Sequence, residues 1–271
     1  MANPFMNDKT LDAAARSGWA APDSSSRSTS IGPITDGPIS SWHPQTMTVG
    51  GTVTAAGVLL VLLLASATLG WTMGPDAQGE VRGFPGLALG GILVGFVAAI
   101  VIHFKPMLAR ILGPVYAIGY GFFVGVISVA YNNYKDGIVL QAVGATLAVF
   151  AVMLVLYRTR ILKVTDRFRR IVITATMGLM LFYFVSFVFR LIAGAGSVTF
   201  LQSASPLGIL FSVFAAGLAS MMLAVHFDQI ERGVAAGWPK GMEWYCAFGL
   251  VSTLVWLYLE ILRLLAKLQR R

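Results

Sequence analysis

The sequence predicts an all-α polytopic membrane protein with seven transmembrane helices. Of its 271 residues, 56% are hydrophobic and only 12% charged, whereas a soluble domain carries about 25% charged residues. Runs of about twenty apolar residues recur, each long enough to cross a hydrocarbon layer of about 30 Å as a helix. A membrane β-barrel would instead alternate apolar and polar residues. The apolar runs therefore favour helices.

Seven candidate spans follow one another with short connections, which predicts a single seven-helix transmembrane domain over residues 48–271. The predicted spans are Gly51–Trp71, Phe84–His103, Leu112–Tyr131, Ile138–Leu156, Ile171–Ala193, Leu207–Val225 and Glu243–Leu265.

Residues 1–47 differ in composition from the rest of the chain. They are rich in Ser, Pro, Gly and Asp and lack apolar periodicity, so we predict a disordered cytoplasmic tail. The first apolar run begins too far into the chain for a secretory signal, and no cleavage site precedes it. We expect the tail to be retained.

The basic residues predict the orientation of the chain. The connection from Arg158 to Arg170 carries six Lys or Arg. We therefore expect a protein of the cell membrane in which this connection and the N-terminus face the cytoplasm. An odd number of spans then places the C-terminus outside, although Lys267, Arg270 and Arg271 oppose that placement. A re-entrant seventh segment would return the C-terminus to the cytoplasm.

The net charge of +8 does not predict a nucleic-acid partner, because the basic residues lie in short loops beside apolar runs.

The single cysteine, Cys246, excludes an internal disulfide, and we interpret it as a packing residue. No metal-ligand spacing, phosphate loop or nucleophile motif occurs, so we predict neither a cofactor nor an enzyme.

Four ionisable residues at span ends are predicted to lie at one membrane level: His103, His226, Asp228 and Glu243. Ionisable groups within a bilayer are costly and are therefore functional candidates. Two carboxylates with histidine would suit a proton-sensitive gate or a site for a hard cation such as Ca²⁺. The alternative interpretation is that all four reach headgroup water.

A second polar group is predicted toward the opposite face. Glu260 and Arg263 are three residues apart on one helix, and Arg190 of the fifth span lies at a similar level. A structural ion pair explains this group, and an outer gate is the alternative.

Small residues at four-residue spacing indicate close helix packing. They are Gly86 with Gly90 and Gly91 with Gly95 in the second span, and Gly121 with Gly125 in the third.

Two segments carry a resemblance to a known family: Ala224-Val-His-Phe-Asp-Gln-Ile230 and Trp256-Leu-Tyr-Leu-Glu-Ile-Leu-Arg-Leu-Leu265. With seven spans, they resemble the Bax inhibitor family of transmembrane proteins, in its bacterial branch, from about Gly51 to the C-terminus. The resemblance implies a central seventh helix wrapped by two groups of three helices. It also implies a pH-sensitive calcium leak, with calcium as the permeant ion.

The resemblance further implies that an acid in the sixth helix pairs with one midway along the seventh. Asp228 matches the first acid within Phe-Asp-Gln-Ile. For the second, matching Leu257-Tyr-Leu-Glu260 nominates Glu260, whereas an ungapped match on Leu-Arg-Leu-Leu puts Thr253 there. In the latter case Glu243 becomes the expected partner of Asp228.

These observations predict a calcium leak or ion-permeation protein whose gate responds to protonation near Asp228. The alternative is a non-conducting regulator that interacts, through its tail, with a membrane protease or stress-response partner. The lipid bilayer is the expected surrounding in both cases.

Overall fold

The computed structural model describes residues 46–74, 85–193 and 204–270. Most of the tail predicted at residues 1–47 lies outside these ranges. The described residues form seven long α-helices, with a short 3₁₀ turn at Pro106–Leu108 between the second and third. The helices are α1 (Val49–Met73), α2 (Pro85–Phe104), α3 (Ala109–Tyr134), α4 (Ile138–Arg158), α5 (Asp166–Ala193), α6 (Pro206–Ala235) and α7 (Met242–Gln269).

The lengths of the helices suit a bilayer. Six of the described helices are long and apolar enough to cross a membrane, and the seventh, α2, has a shorter apolar stretch at Gly90–Phe104. The prediction of an all-α, seven-helix membrane protein is therefore confirmed. α7 is continuous over 28 residues, about 42 Å at 1.5 Å per residue, so it is not re-entrant.

Local chemistry sets several helix ends. The Thr48 hydroxyl accepts a hydrogen bond from Gly51 N at 2.9 Å and caps α1. Ser205 caps α6 in the same way, and Pro206 occupies its first turn, where a missing N–H costs nothing. Gly137 precedes α4 with φ of 77°, in the left-handed region that glycine adopts without strain.

α7 lies at the centre of the bundle. It packs against α1, α3, α4 and α6, while α2 packs on α3 and α5 on α6. α1–α3 thus form one group and α4–α6 the other, with α7 between them. Leu257 and Leu262 of α7 are about 1% exposed or less, as expected for a central helix. The expected arrangement of two three-helix groups around α7 is confirmed.

Glycines bring the helices of the first group together. A Cβ at Gly121 would meet the backbone of Leu63, and one at Gly125 would meet Ala67, so both contacts need glycine. Gly91 likewise lies against the backbone of Gly119. Of the predicted glycines, Gly91, Gly121 and Gly125 therefore mark packing within one chain, whereas a Cβ on Gly90 would have open space.

The sixth helix is longer than its predicted span. We placed its end at Val225, where the apolar run stops, but α6 continues to Ala235. The extra turns carry charged side chains that bind partners on other helices, so this polar segment remains helical.

One end of the bundle gathers the residues that precede α1, the α4–α5 connection and the α6–α7 turn. Thr46 pairs with Pro239 of the turn, and Arg232 of α6 binds Asp166 at the start of α5. We call this the basic end, because the Arg158–Arg170 connection lies there.

Candidate functional site

Asp228 lies near the basic end of α6 and is only 9% exposed. Its Oδ2 is 2.7 Å from Nε of Arg232, one turn further along the helix. Arg232 also donates from Nη1 to Oδ1 of Asp166 at 3.1 Å. One guanidinium therefore joins a buried carboxylate on α6 to an exposed carboxylate on α5.

A second ion pair closes the same end. The Tyr157 hydroxyl, on the last turn of α4, donates to Oε2 of Glu231. Arg160 donates from Nη2 to Oε1 of the same carboxylate at 2.6 Å. α4 and α6 are thus fastened beside Asp228, with both oxygens of Glu231 occupied.

His226 lies inside the bundle and contacts α7. Its Nε2 is 2.9 Å from Oγ1 of Thr253, and both residues are buried. A Cβ on Gly249 would lie 2.8 Å from the imidazole Cε1, so the ring packs directly on that glycine. The ungapped family match had placed Thr253 where a partner of Asp228 was expected, but Thr253 contacts His226, two residues earlier on α6.

Glu243 is 5% exposed and binds the residue before α1. Its Oε1 accepts hydrogen bonds from N of Thr48 at 2.9 Å and from the Thr48 hydroxyl at 3.0 Å. A carboxylate at the N-terminus of a helix is also stabilised by the helix dipole.

The four residues predicted at one level therefore do not form one site. Asp228 pairs with Arg232, His226 with Thr253 and Glu243 with Thr48, while the His103 side chain is exposed beside Phe104. Because helix rotation decides which way each side chain points, a shared level did not imply contact. The expected pairing of Asp228 with Glu243 is not the contact that either carboxylate makes.

The second predicted group forms a dense cluster around Glu260, which is 1% exposed. Arg263 Nη1 lies 3.0 Å from each carboxylate oxygen. The hydroxyl of Tyr183, on α5, donates to Oε1 at 2.8 Å, and Trp256 Nε1 donates to it at 3.3 Å. The backbone of Arg190 belongs to α5, but its side chain lies outside the described residues.

The sequence did not predict that Lys267, near the end of α7, is a buried polar residue; it is 3% exposed. Its Nζ donates to the carbonyl of Gly208 and to the hydroxyl of Ser212, both at 2.8 Å. Arg270 lies over the ring of Tyr134, 5.0 Å from its centroid. Lys267 is therefore bound within the bundle, whereas Arg270 is exposed and contacts Tyr134 at its surface.

The described residues hold no group of three or more His, Cys, Asp or Glu side chains placed to bind a metal ion. What the buried groups offer is a set of separate polar contacts along α6 and α7. The Asp228–Arg232 pair lies at the basic end, His226–Thr253 further in, and the Glu260 cluster and Lys267 toward the other end.

Six apolar helices around a buried central seventh, with ionisable groups held inside, define the described part of the chain as a polytopic α-helical membrane protein. The family model described as Bax inhibitor 1 like matches residues 3–270. The chain therefore belongs to the Bax inhibitor 1-like family. No curated protein and no solved structure matches the chain.

Proposed function

We propose that the protein is a cation leak, with Ca²⁺ as its permeant ion, and that its gate responds to protonation of Asp228. One observation carries the proposal: the buried Asp228 carboxylate shares Arg232 with Asp166. A carboxylate kept inside a membrane helix is costly, and such groups mark ion pathways and proton-linked switches. Family membership supports the same class of function.

Protonation of Asp228 would cancel the charge that faces Arg232 inside the bundle. Arg232 would then keep Asp166 as its charged partner and would be drawn toward the α5 side. The neighbouring Tyr157–Glu231–Arg160 contact holds α4 to the same stretch of α6. A shift of Arg232 would therefore change the contacts among α4, α5 and α6.

The test is a flux measurement on purified protein in liposomes that contain a calcium dye. We expect calcium entry that differs between about pH 6 and about pH 8, and we expect Asp228→Asn to remove that difference because the variant lacks the carboxylate that faces Arg232. Protein-free liposomes give the background. No flux above background at either pH, or a pH response that Asp228→Asn preserves, would contradict the proposal.

We place the protein in the cell membrane with the basic end in the cytoplasm. The supporting observation is that the residues before α1 and the Arg158–Arg170 connection lie at one end of the bundle. Loops rich in Lys and Arg are retained in the cytoplasm.

The alternative function is that of a non-conducting regulator of a membrane protease or stress-response partner. Thr46 pairs with Pro239 of the α6–α7 turn, which gives the start of the described chain a contact with the helical bundle. A deletion of residues 1–44 separates the two functions and leaves Thr46 in place. A leak still conducts after this deletion, whereas a regulator that depends on its tail loses its partner.

A further inference from the structure

The residues Thr46, Met47 and Thr48, which we call the strap, bind the turn between α6 and α7. Thr46 forms an isolated antiparallel bridge with Pro239. The backbone N of Met47 donates to the carbonyl of Trp238 at 2.7 Å. A three-residue extended segment thus fastens the start of α1 to the α6–α7 hairpin.

The last strap residue is bound by a buried acid. Both the backbone N–H and the hydroxyl of Thr48 donate to Glu243, on the first turn of α7. The carboxylate also fills the space that a Cβ on Gly51 would need. Glycine at this position lets the strap approach α7 closely.

The Met47 side chain closes a small apolar cluster and is 1% exposed. Its buried companions are Ile230 of α6 and Cys246 of α7, and Trp238 of the turn packs against them. Within the described residues, Met47 is the one member of this cluster that α6, α7 and their turn do not supply. Cys246 is 2% exposed, so a reagent reaches it after the cluster opens.

Apart from the hydrogen bonds by which Thr48 caps α1, the contacts that hold the strap are few and fall on the α6–α7 hairpin. Lifting it breaks the bridge, the Met47 and Thr48 hydrogen bonds and the packing of one thioether, and leaves the packing of the helices intact. Segments with few contacts open locally at a lower free energy than the whole fold. The strap therefore has the properties of a separate opening unit.

We propose that the strap is a releasable latch on the α6–α7 hairpin, and that its release exposes Cys246 and frees the basic end of α6. The latch itself does not depend on ion conduction. Only its consequence for Asp228, which lies on the same helix, rests on the proposed function. A partner that binds the chain before Thr46 would pull on the strap and so act on that hairpin.

Chemical labelling of the native Cys246 measures how readily the latch opens. The rate at which a maleimide labels Cys246 is measured on the full chain in liposomes. Met47→Ser removes the thioether from the cluster, and Glu243→Ala removes the acceptor for Thr48. Met153→Ser is the matched control, since Met153 is also buried but belongs to a different cluster, on α4.

We expect Met47→Ser to speed the labelling of Cys246 at least about tenfold, with a smaller rise in Glu243→Ala and none in Met153→Ser. A wild-type labelling rate in Met47→Ser overturns the latch. So does an equal rise in Met153→Ser, because the cysteine would then be exposed by general loosening of the bundle. A protein that labels as expected but carries no calcium overturns the proposed function and leaves the latch standing.

Discussion

At the scale of single residues, most buried ionisable side chains of α6 and α7 have a specific partner, although Oδ2 of Asp228 accepts no hydrogen bond beside its ion pair with Arg232. Glu260 receives donors from Arg263, Tyr183 and Trp256, and its carboxylate is almost fully enclosed. A buried ion pair that loses one member leaves an uncompensated charge in an apolar surrounding. This cluster therefore ties α5 to α7 structurally.

Replacing Glu260 tests that role. Glu260→Gln is expected to destabilise the protein by about 3 to 5 kcal/mol, because Arg263 is left without its counter-charge. Thermal unfolding in detergent measures the loss. The double variant Glu260→Gln with Arg263→Met is the control and should recover part of the stability. An unchanged unfolding temperature in Glu260→Gln would show that the pair does not hold α5 in place.

The sequence predicted the residues that make polar contacts far better than it predicted the partners of those residues. Asp228, His226, Glu243 and Glu260 stood out because charge is costly in a bilayer. Their partners depend on the rotation and register of neighbouring helices, which an apolar sequence hardly encodes. Lys267 was considered only as one of the basic residues near the C-terminus, and the sequence did not predict its buried contacts with Gly208 and Ser212.

At the scale of helices, the apolar runs predicted all seven elements, because the bilayer thickness fixes the length of a span. The predicted ends fell short where helices continue beyond the apolar region, above all at Val225. Hydropathy reports where lipid begins and ends. It does not report where protein partners keep a polar segment helical.

The seam between α1 and α3 offers a test at this scale. A Cβ at Gly125 would lie 2.8 Å from the carbonyl carbon of Ala67 and 2.9 Å from N of Trp71, whereas one at Gly144 would have open space. Gly125→Ala should therefore cost about 1 to 3 kcal/mol, since two backbones must separate. Gly144→Ala is the matched control and should be neutral in the same thermal assay. Equal stability of the two variants would contradict the close approach of α1 and α3.

At the scale of the whole molecule, seven helices predict that the two termini lie on opposite sides of the membrane. α7 is continuous, and Lys267 and Arg270 near its end are bound by Ser212 and Tyr134. In the orientation that we propose, these contacts would let basic residues stay on the outer side against the usual tendency.

Reporters fused before Met1 and after Arg271 measure this topology. In sealed vesicles of known orientation, we expect the first reporter to be cytoplasmic and the second to be outside. Two reporters on the same face would contradict the seven crossings, and a reversed pair would contradict the orientation.

The central claim is that the buried Asp228 carboxylate makes a cation leak sensitive to pH. It is tested most directly by the ratio of calcium flux at about pH 6 to that at about pH 8 in liposomes, compared among wild type, Asp228→Asn and Asp166→Asn. Both variants remove one carboxylate from Arg232, but the Asp166 side chain is 83% exposed and that of Asp228 only 12%. We predict that Asp228→Asn brings the ratio to about one, while Asp166→Asn lowers the ratio less, because it removes only the solvated charge that draws Arg232 toward α5. A wild-type ratio in Asp228→Asn, or the same loss in both variants, would contradict the account.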